Sequence, residues 1–362
     1  MKNKKIDAYL ISNKSNIQYL SNFNGSNGFM IISKKKKYLF TDSRYILRAK
    51  DTIKKDIELI DITNLWKNSD IIKKKLDQLV KKHKIETLGI EEKDLSIKQF
   101  KSFKQLFSSK IKYTDTNNFI ENIREIKTKT EIGFIKKSQK INEEIFLEIK
   151  KIIHKSIKSS IKTEITEKDI MYKIFELSYK LGAETQSFDP IIAFGKNSAS
   201  PHHLPTNQKL KTKDIILIDM GMKFNGYCSD MTRTLFTVAP NTYEEKIYNL
   251  VLNAQNTAIN NIKSGIPTKI ISKKAQEIFE KEKLQNYFTH ALGHGVGLDI
   301  HEQPSIHEKD KNTLKENSII TIEPGLYIEN KFGVRIEDMI LVTKKGHENL
   351  TNIDKNLKAQ II

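Results

Sequence analysis

Ile218-Asp219-Met220-Gly221, followed after a turn by Gly226-Tyr227-Cys228-Ser229-Asp230-Met231, has a counterpart further along the chain. There Ile322-Glu323-Pro324-Gly325 leads to Gly333-Val334-Arg335-Ile336-Glu337-Asp338-Met339. In each copy an apolar strand ends in an acid, with Gly two residues later, and a second strand carries another acid four residues past its opening Gly. Asp219 and Asp230 stand 11 residues apart and Glu323 and Glu337 stand 14 apart, a difference assigned to the turn. Each copy therefore reads as a hairpin with one carboxylate on each arm. Carboxylates at the inner ends of strands as apolar as IILID and IITIE are costly to bury unless paired or bound to a cation. Four of them facing one another repel, and a divalent metal relieves that repulsion. Any one acid taken alone is equally well a solvated residue on an exposed hairpin. It is their recurrence at matching positions that favours a shared site.

Between the two copies lies Thr289-His290-Ala291-Leu292-Gly293-His294-Gly295-Val296-Gly297-Leu298-Asp299-Ile300-His301-Glu302-Gln303-Pro304. Its three histidines and three glycines suit an imidazole ligand on a tightly turned backbone. His290 and His294 have the i, i+4 spacing of a zinc-protease helix. That motif requires Glu directly after the first His, where this chain has Ala291, and Gly293 and Gly295 oppose a helix.

Further out, the 362 residues allow two domains or three. The first 110 or so alternate strand-like and helix-like stretches at βα spacing. AYLI, GFMIIS, KYLFTD and TLGIEE read as strands, and TNLWKNSDIIKKKLDQLVKKH as an amphipathic helix. Lys34–Lys37 reads as the top of a hairpin. The pattern breaks at TDTNN, and ENIREIKTKTEIGFIKKSQKINEEIFLEIKKII, from residue 121, is expected to begin a long helix. The expected division is an α/β N-terminal domain over 1–120 and a mixed α/β domain over 121–362.

The formal net charge of +18 invites a nucleic-acid reading, but only five of the 62 basic residues are Arg. Lys is a solvated point charge and Arg the two-pronged reader of bases and phosphates. The lysines are spread along the chain, so no nucleic-acid surface is expected. Apolar runs stop at four or five residues such as Ile191–Phe194, far short of the ~20 that a membrane span needs. MKNKKIDAYLISNKSN lacks the apolar run of an export signal, so export is not expected. Cys228, the single cysteine, excludes an internal disulfide and a Cys-based zinc cluster. A reducing, cytoplasmic setting is expected.

In order and context, Asp219, Asp230, His294, Glu323 and Glu337 resemble the five metal ligands of the pita-bread metallopeptidases: methionine aminopeptidase, prolidase and Xaa-Pro aminopeptidase. IDMG…GYCSDMTRT, HALGHGVGLDIHEQP, TIEPGLY and GVRIEDM are similar to that family's blocks. Phe188–His202 (FDPIIAFGKNSASPH) resembles the proline-specific branch, and YLSNFNGSNGFMII with FTDSRY resembles its creatinase-type N-terminal domain. The resemblance implies a pita-bread catalytic domain with an internal pseudo-twofold, two divalent ions held by the five ligands, and in relatives with this N-terminal domain a homodimer. Four carboxylates and one imidazole make an oxygen-rich site that suits Mn²⁺ or Co²⁺ better than a structural Zn²⁺.

It further implies that Glu323 ligates metal and shuttles a proton, and that His202 and His301 contact substrate and stabilise the developing oxyanion. His203 competes with His202 for that role, but the position directly after Pro201 favours His202. Arg335, two residues before Glu337, would on a continuous strand project to the same face, where it could hold a carboxylate or reach substrate. Tyr227 and His290 are candidates for supporting the ligands, and Cys228 for small apolar packing. The expected activity is hydrolysis of the bond between an N-terminal residue and a following proline. Prolidase action on Xaa-Pro dipeptides is the alternative, and a non-catalytic pita-bread binding protein or a creatinase-like amidinohydrolase is disfavoured by the full ligand set.

Overall fold

The N-terminal strands pair as their apolar runs require. Ala8–Ile11 (β1), Phe29–Ser33 (β2), Lys37–Thr41 (β3), Ile57–Asp61 (β4), Thr87–Ile90 (β5) and Lys112–Asp115 (β6) form one sheet in the order β4-β3-β2-β1-β5-β6. β1–β2 and β2–β3 are antiparallel; β3–β4, β1–β5 and β5–β6 are parallel. The tight turn after β2 is closed by Ser33 N–H donating to Lys36 O, as the lysine run suggested. This computed structural model describes residues 6–63, 69–107, 110–116, 118–158 and 164–362. The helix expected from residue 63 covers Ser69–His83; residues 64–68 of that expectation lie outside the described residues. Among the described residues, no helix is long and apolar enough to cross a membrane.

The chain divides into two compact units, Met1–Ile123 and Arg124–Ile362. The long helix starts later than expected, at Lys129, and runs to Lys158, after a separate short helix at Phe119–Arg124. The reason is local. Thr128 and Glu131 exchange hydrogen bonds, the backbone N–H of each donating to the other's side chain, which satisfies N–H groups that a new helix leaves open. Capping boxes likewise start the helices Glu167–Lys180 (Thr166 with Asp169) and Thr242–Ile259 (Asn241 with Glu244).

Among the described residues of the second unit, two apolar cores each set a pair of helices on an antiparallel sheet. In one, Ile141, Ile145, Ile149 and Ile153 from Lys129–Lys158 and Ile170 and Ile174 from Glu167–Lys180 pack on Ile192, Ile216, Ile218 and Met231. The sheet beneath consists of Ile191–Phe194, Ile215–Met220 and Met231–Phe236. In the other, helices Thr242–Ile259 and Thr268–Lys281 pack on the sheet that contains Gly293–Gly295, Ile319–Ile322 and Asp338–Val342.

The repeated hairpins are built alike, though not as simple hairpins. Ile215–Met220 pairs with Met231–Phe236, and Ile319–Ile322 with Asp338–Val342. Between the partners each copy inserts an inner hairpin, Met222–Phe224 with Tyr227–Cys228 in the first and Gly325–Ile328 with Phe332–Arg335 in the second. The longer inner strands of the second copy account for its wider acid spacing. The strands expected over YCSDMTRTLF and GVRIEDMILVT are each broken, at Ser229–Asp230 and Ile336–Glu337. Asp230, Glu323 and Glu337 therefore sit at junctions where backbone pairing changes partner, and Asp219 sits one residue inside such a junction.

Candidate metal centre and active site

The junctions bring the acids together. One ligand atom each from Asp230, His294 and Glu337 lie within 4.8 Å of one another, a group able to hold a metal ion. His294 Nε2 is 3.6 Å from Asp230 Oδ2 and 3.4 Å from Glu323 Oε1. Thr232 Oγ1 donates to Glu337 Oε2 at 2.7 Å, and Thr321 Oγ1 to Glu323 Oε1 at 3.3 Å. Asp219 joins through Arg335, whose Nη2 donates to its Oδ2 at 2.6 Å.

His294 lies in a short extended strand, Gly293–Gly295, rather than on the tight turn expected from its glycines. Those glycines serve close approach. A Cβ at Gly293 would come 2.0 Å from Thr321 O, and one at Gly295 2.1 Å from Gln303 O. No side chain fits either place without moving a neighbouring strand.

The electrostatics are those of anionic groups crowded out of water. Burial first, then the charges of Glu337, Asp219 and Glu323, push the Asp230 carboxyl well up. Glu337 is raised in the same way by burial and by Glu323 and Asp219. Burial pushes Glu323 up to about 8. Burial also depresses His294, and the neighbouring His301 adds to it, to about 4, so the imidazole is neutral and its nitrogen free to ligate. Buried Asp219 Oδ1, Asp230 Oδ1 and Glu337 Oε1 have no hydrogen-bond partner. Buried acceptors of this kind are normally satisfied, and open carboxylate oxygens on Asp230 and Glu337 beside a neutral imidazole fit a hard divalent cation.

The expected substrate contacts lie on the same site. The His301 ring meets that of His294 edge-on with centroids 4.4 Å apart. His202 is exposed; burial depresses both His290 and His301 below the usual imidazole range, helped at His290 by Arg335 and, in smaller measure at both, by the nearby His202. Arg335 is buried and faces Asp219 on the other copy. It ends the strand Phe332–Arg335 while Glu337 falls in the break beyond, so strand alternation does not relate the two. Its other nitrogens donate to Thr232 Oγ1, Pro201 O and Tyr327 Oη. Tyr227 faces elsewhere, donating to Glu131 Oε1 at 2.6 Å and packing on Phe134. His290 supports the site through Tyr327, its Nε2 2.9 Å from the phenol oxygen. Cys228 is fully buried, and burial pushes its thiol up to about 11.

Sequence reasoning missed Thr232, Thr321 and Tyr327. Thr232 and Thr321 each lie two residues from an acid, a spacing visible in SDMTRT and TIE; Tyr327 carried no local signal.

Comparison with known proteins agrees in both units. The model of the Creatinase/Prolidase N-terminal domain matches residues 1–126, and that of Metallopeptidase family M24 matches 133–344. A Xaa-Pro dipeptidase of Pyrococcus furiosus is 39% identical over 289 residues, covering 78% of this chain and 79% of its own. The crystal structure of an X-Pro aminopeptidase from Thermotoga maritima superposes with a TM-score of 0.85 at 33% identity, over 97% of each chain. A Xaa-Pro dipeptidase from Bacillus anthracis gives 0.89 at 32% identity, over 97% of this chain and 94% of the other. With a family model spanning more than half its residues, this chain, a creatinase/prolidase N-terminal domain followed by a pita-bread catalytic domain, belongs to metallopeptidase family M24.

Proposed function

We propose that this protein is a Xaa-Pro aminopeptidase, removing the first residue of peptides whose second residue is proline. The observation that carries the reading is the cluster of Asp230, His294 and Glu337 with open, buried carboxylate oxygens, in a chain whose relatives are named for Xaa-Pro hydrolysis. In this reading Asp219, Asp230, His294, Glu323 and Glu337 hold two divalent ions, with Mn²⁺ favoured by the oxygen-rich donor set and Co²⁺ or Zn²⁺ as alternatives. When bound, the ions supply an acidified water and Lewis-acid polarisation of the scissile carbonyl.

The rest falls to the chain. Glu323, whose carboxyl is pushed up to about 8, is suited to take up a proton and return it to the departing amine. His202 and His301 approach the same space and are assigned to the substrate carbonyl and its developing negative charge. Arg335 holds Asp219 in place at 2.6 Å, and with each of its nitrogens donating within the protein its contribution is positional. The bond before proline is a tertiary amide with no N–H to donate, so a dedicated site is needed to recognise it. The proposal includes the domain boundary near 120, a homodimer, and a cytoplasmic setting in keeping with the single buried cysteine.

The relatives named dipeptidase favour a second reading, a prolidase restricted to Xaa-Pro dipeptides. Mn²⁺-loaded protein assayed on Xaa-Pro-Yaa tripeptides and Xaa-Pro dipeptides decides between them. Release of the first residue from the tripeptide is expected. Turnover of dipeptides alone establishes the prolidase, and failure on both overturns the peptidase reading.

A further inference from the structure

Glu167 opens the helix Glu167–Lys180, and its side chain is wholly buried. Its carboxylate is nevertheless more fully bonded than any other around it. Oε1 accepts from Phe194 N and Asn197 Nδ2, each at 2.8 Å. Oε2 accepts from Thr206 N at 2.8 Å and Thr206 Oγ1 at 2.7 Å, and His203 Nε2, protonated in the tautomer that donates, lies 2.9 Å away. Burial alone would raise this carboxyl; the bonds from His203, Asn197, Phe194 and Thr206 outweigh it and hold the group below its ordinary value.

All five donors belong to one stretch of chain, and they lie at its two ends. The middle of that stretch is fastened to the active site instead. Ser198 Oγ accepts from Gly333 N at 2.9 Å, and Pro201 O accepts from the Arg335 guanidinium that grips Asp219. His202 is the next residue and projects, exposed, from the span so anchored. A buried carboxylate is a costly way to join a helix to a loop, since apolar packing does that with no desolvation penalty. What a carboxylate adds is direction: it fixes where five particular donors stand.

We propose that Glu167 is a positioning residue for the peptidase reaction: it clamps both ends of Phe194–Thr206 so that His202 is held at the substrate. The inference rests on the assignment of His202 to the substrate and deepens that reading. His203, the sequence rival of His202, then has the distinct task of closing the clamp.

The test compares wild type, Glu167→Gln, His202→Ala and the double variant, all Mn²⁺-loaded, on a Xaa-Pro-Yaa tripeptide. Glutamine keeps the shape but turns one acceptor oxygen into a donor. Glu167→Gln is expected to lower kcat/KM at least about tenfold, with metal affinity unchanged. Since the loss passes through His202, the double variant should fall no more than about threefold below His202→Ala alone. Amide hydrogen exchange across residues 195–205 should quicken at least about tenfold while the flanking helices keep their protection. Thr206→Val and His203→Asn, which each delete one donor and leave the carboxylate, should move the same quantities in smaller measure; they decide the matter if Glu167→Gln does not fold. Losses that multiply in the double variant, or a Glu167→Gln enzyme within about threefold of wild type, overturn the proposal. Wild type inactive on every Xaa-Pro substrate would instead sink the peptidase reading, with the exchange data still deciding the clamp.

Discussion

Asp230 shows how a residue can be wrong for the fold and right for the chemistry. It is buried among Glu337, Asp219 and Glu323, whose charges and whose shared burial drive its proton affinity up. In the protein without metal, an uncharged amide of the same shape relieves that repulsion. Asp230→Asn is therefore expected to melt no lower than wild type when both are metal-free, while kcat/KM falls at least about a hundredfold and the stabilisation by Mn²⁺ disappears. Calorimetry with and without Mn²⁺, beside the tripeptide assay, measures both halves; near-wild-type turnover would show the ligands misassigned. Thr232 provides a milder case. Its hydroxyl orients Glu337 at 2.7 Å, so Thr232→Val should weaken metal binding about tenfold with the fold intact, as read by metal titration.

At the level of elements, the glycines around His294 are set by the spacing of strands. Gly293→Ala would drive a methyl to 2.0 Å from the Thr321 carbonyl, on the strand that leads into Glu323. That strand must yield, so a loss of ~2 kcal/mol in urea unfolding is expected, together with weaker metal binding. The expectation fails if the variant unfolds at the wild-type midpoint. How far these elements could be read from sequence followed from what each depends on. The strands Ile215–Met220 and Ile319–Ile322 announce themselves by apolar runs that reach an acid. The breaks at Ser229–Asp230 and Ile336–Glu337 do not, because a strand that changes partner keeps its local composition. The start of the long helix at Lys129 was legible in Thr128 and Glu131 as a capping box, yet a helical periodicity that begins at residue 121 masks it. Tyr327 and Glu167 were beyond reach for another reason: each meets its partners only across the fold, His290 and Arg335 for one and the span from Phe194 to Thr206 for the other.

For the whole molecule, the crowded acids and buried imidazoles make stability a function of pH and metal together. Histidines depressed in the folded chain, such as His290 and His294 at about 4, stay neutral where the unfolded chain takes up protons. Their contribution grows as pH rises and is complete above the ordinary value of 6.5. Glu323 acts in the opposite sense. Raised from 4.5 to about 8, it keeps its proton in the folded chain where the unfolded chain has lost it, so its contribution drains away as pH climbs toward 8. By about pH 7.5 the histidine contribution has levelled off while the acidic one is still falling, and with Asp230, Glu323 and Glu337 all raised the metal-stripped protein should lose stability on balance from pH 6.5 to 8. Mn²⁺ should reverse the slope, because it binds the deprotonated carboxylates and so stabilises more as pH rises. Calorimetric melts of chelator-treated and Mn²⁺-loaded protein at pH 6.5, 7.2 and 8.0 measure the two slopes. Glu323→Gln, which has no proton to lose, should make the metal-free one shallower, Asp230 and Glu337 supplying what remains. A metal-free melting point that rises from pH 6.5 to 8 would mean that the acids of the two repeated hairpins are not confined together.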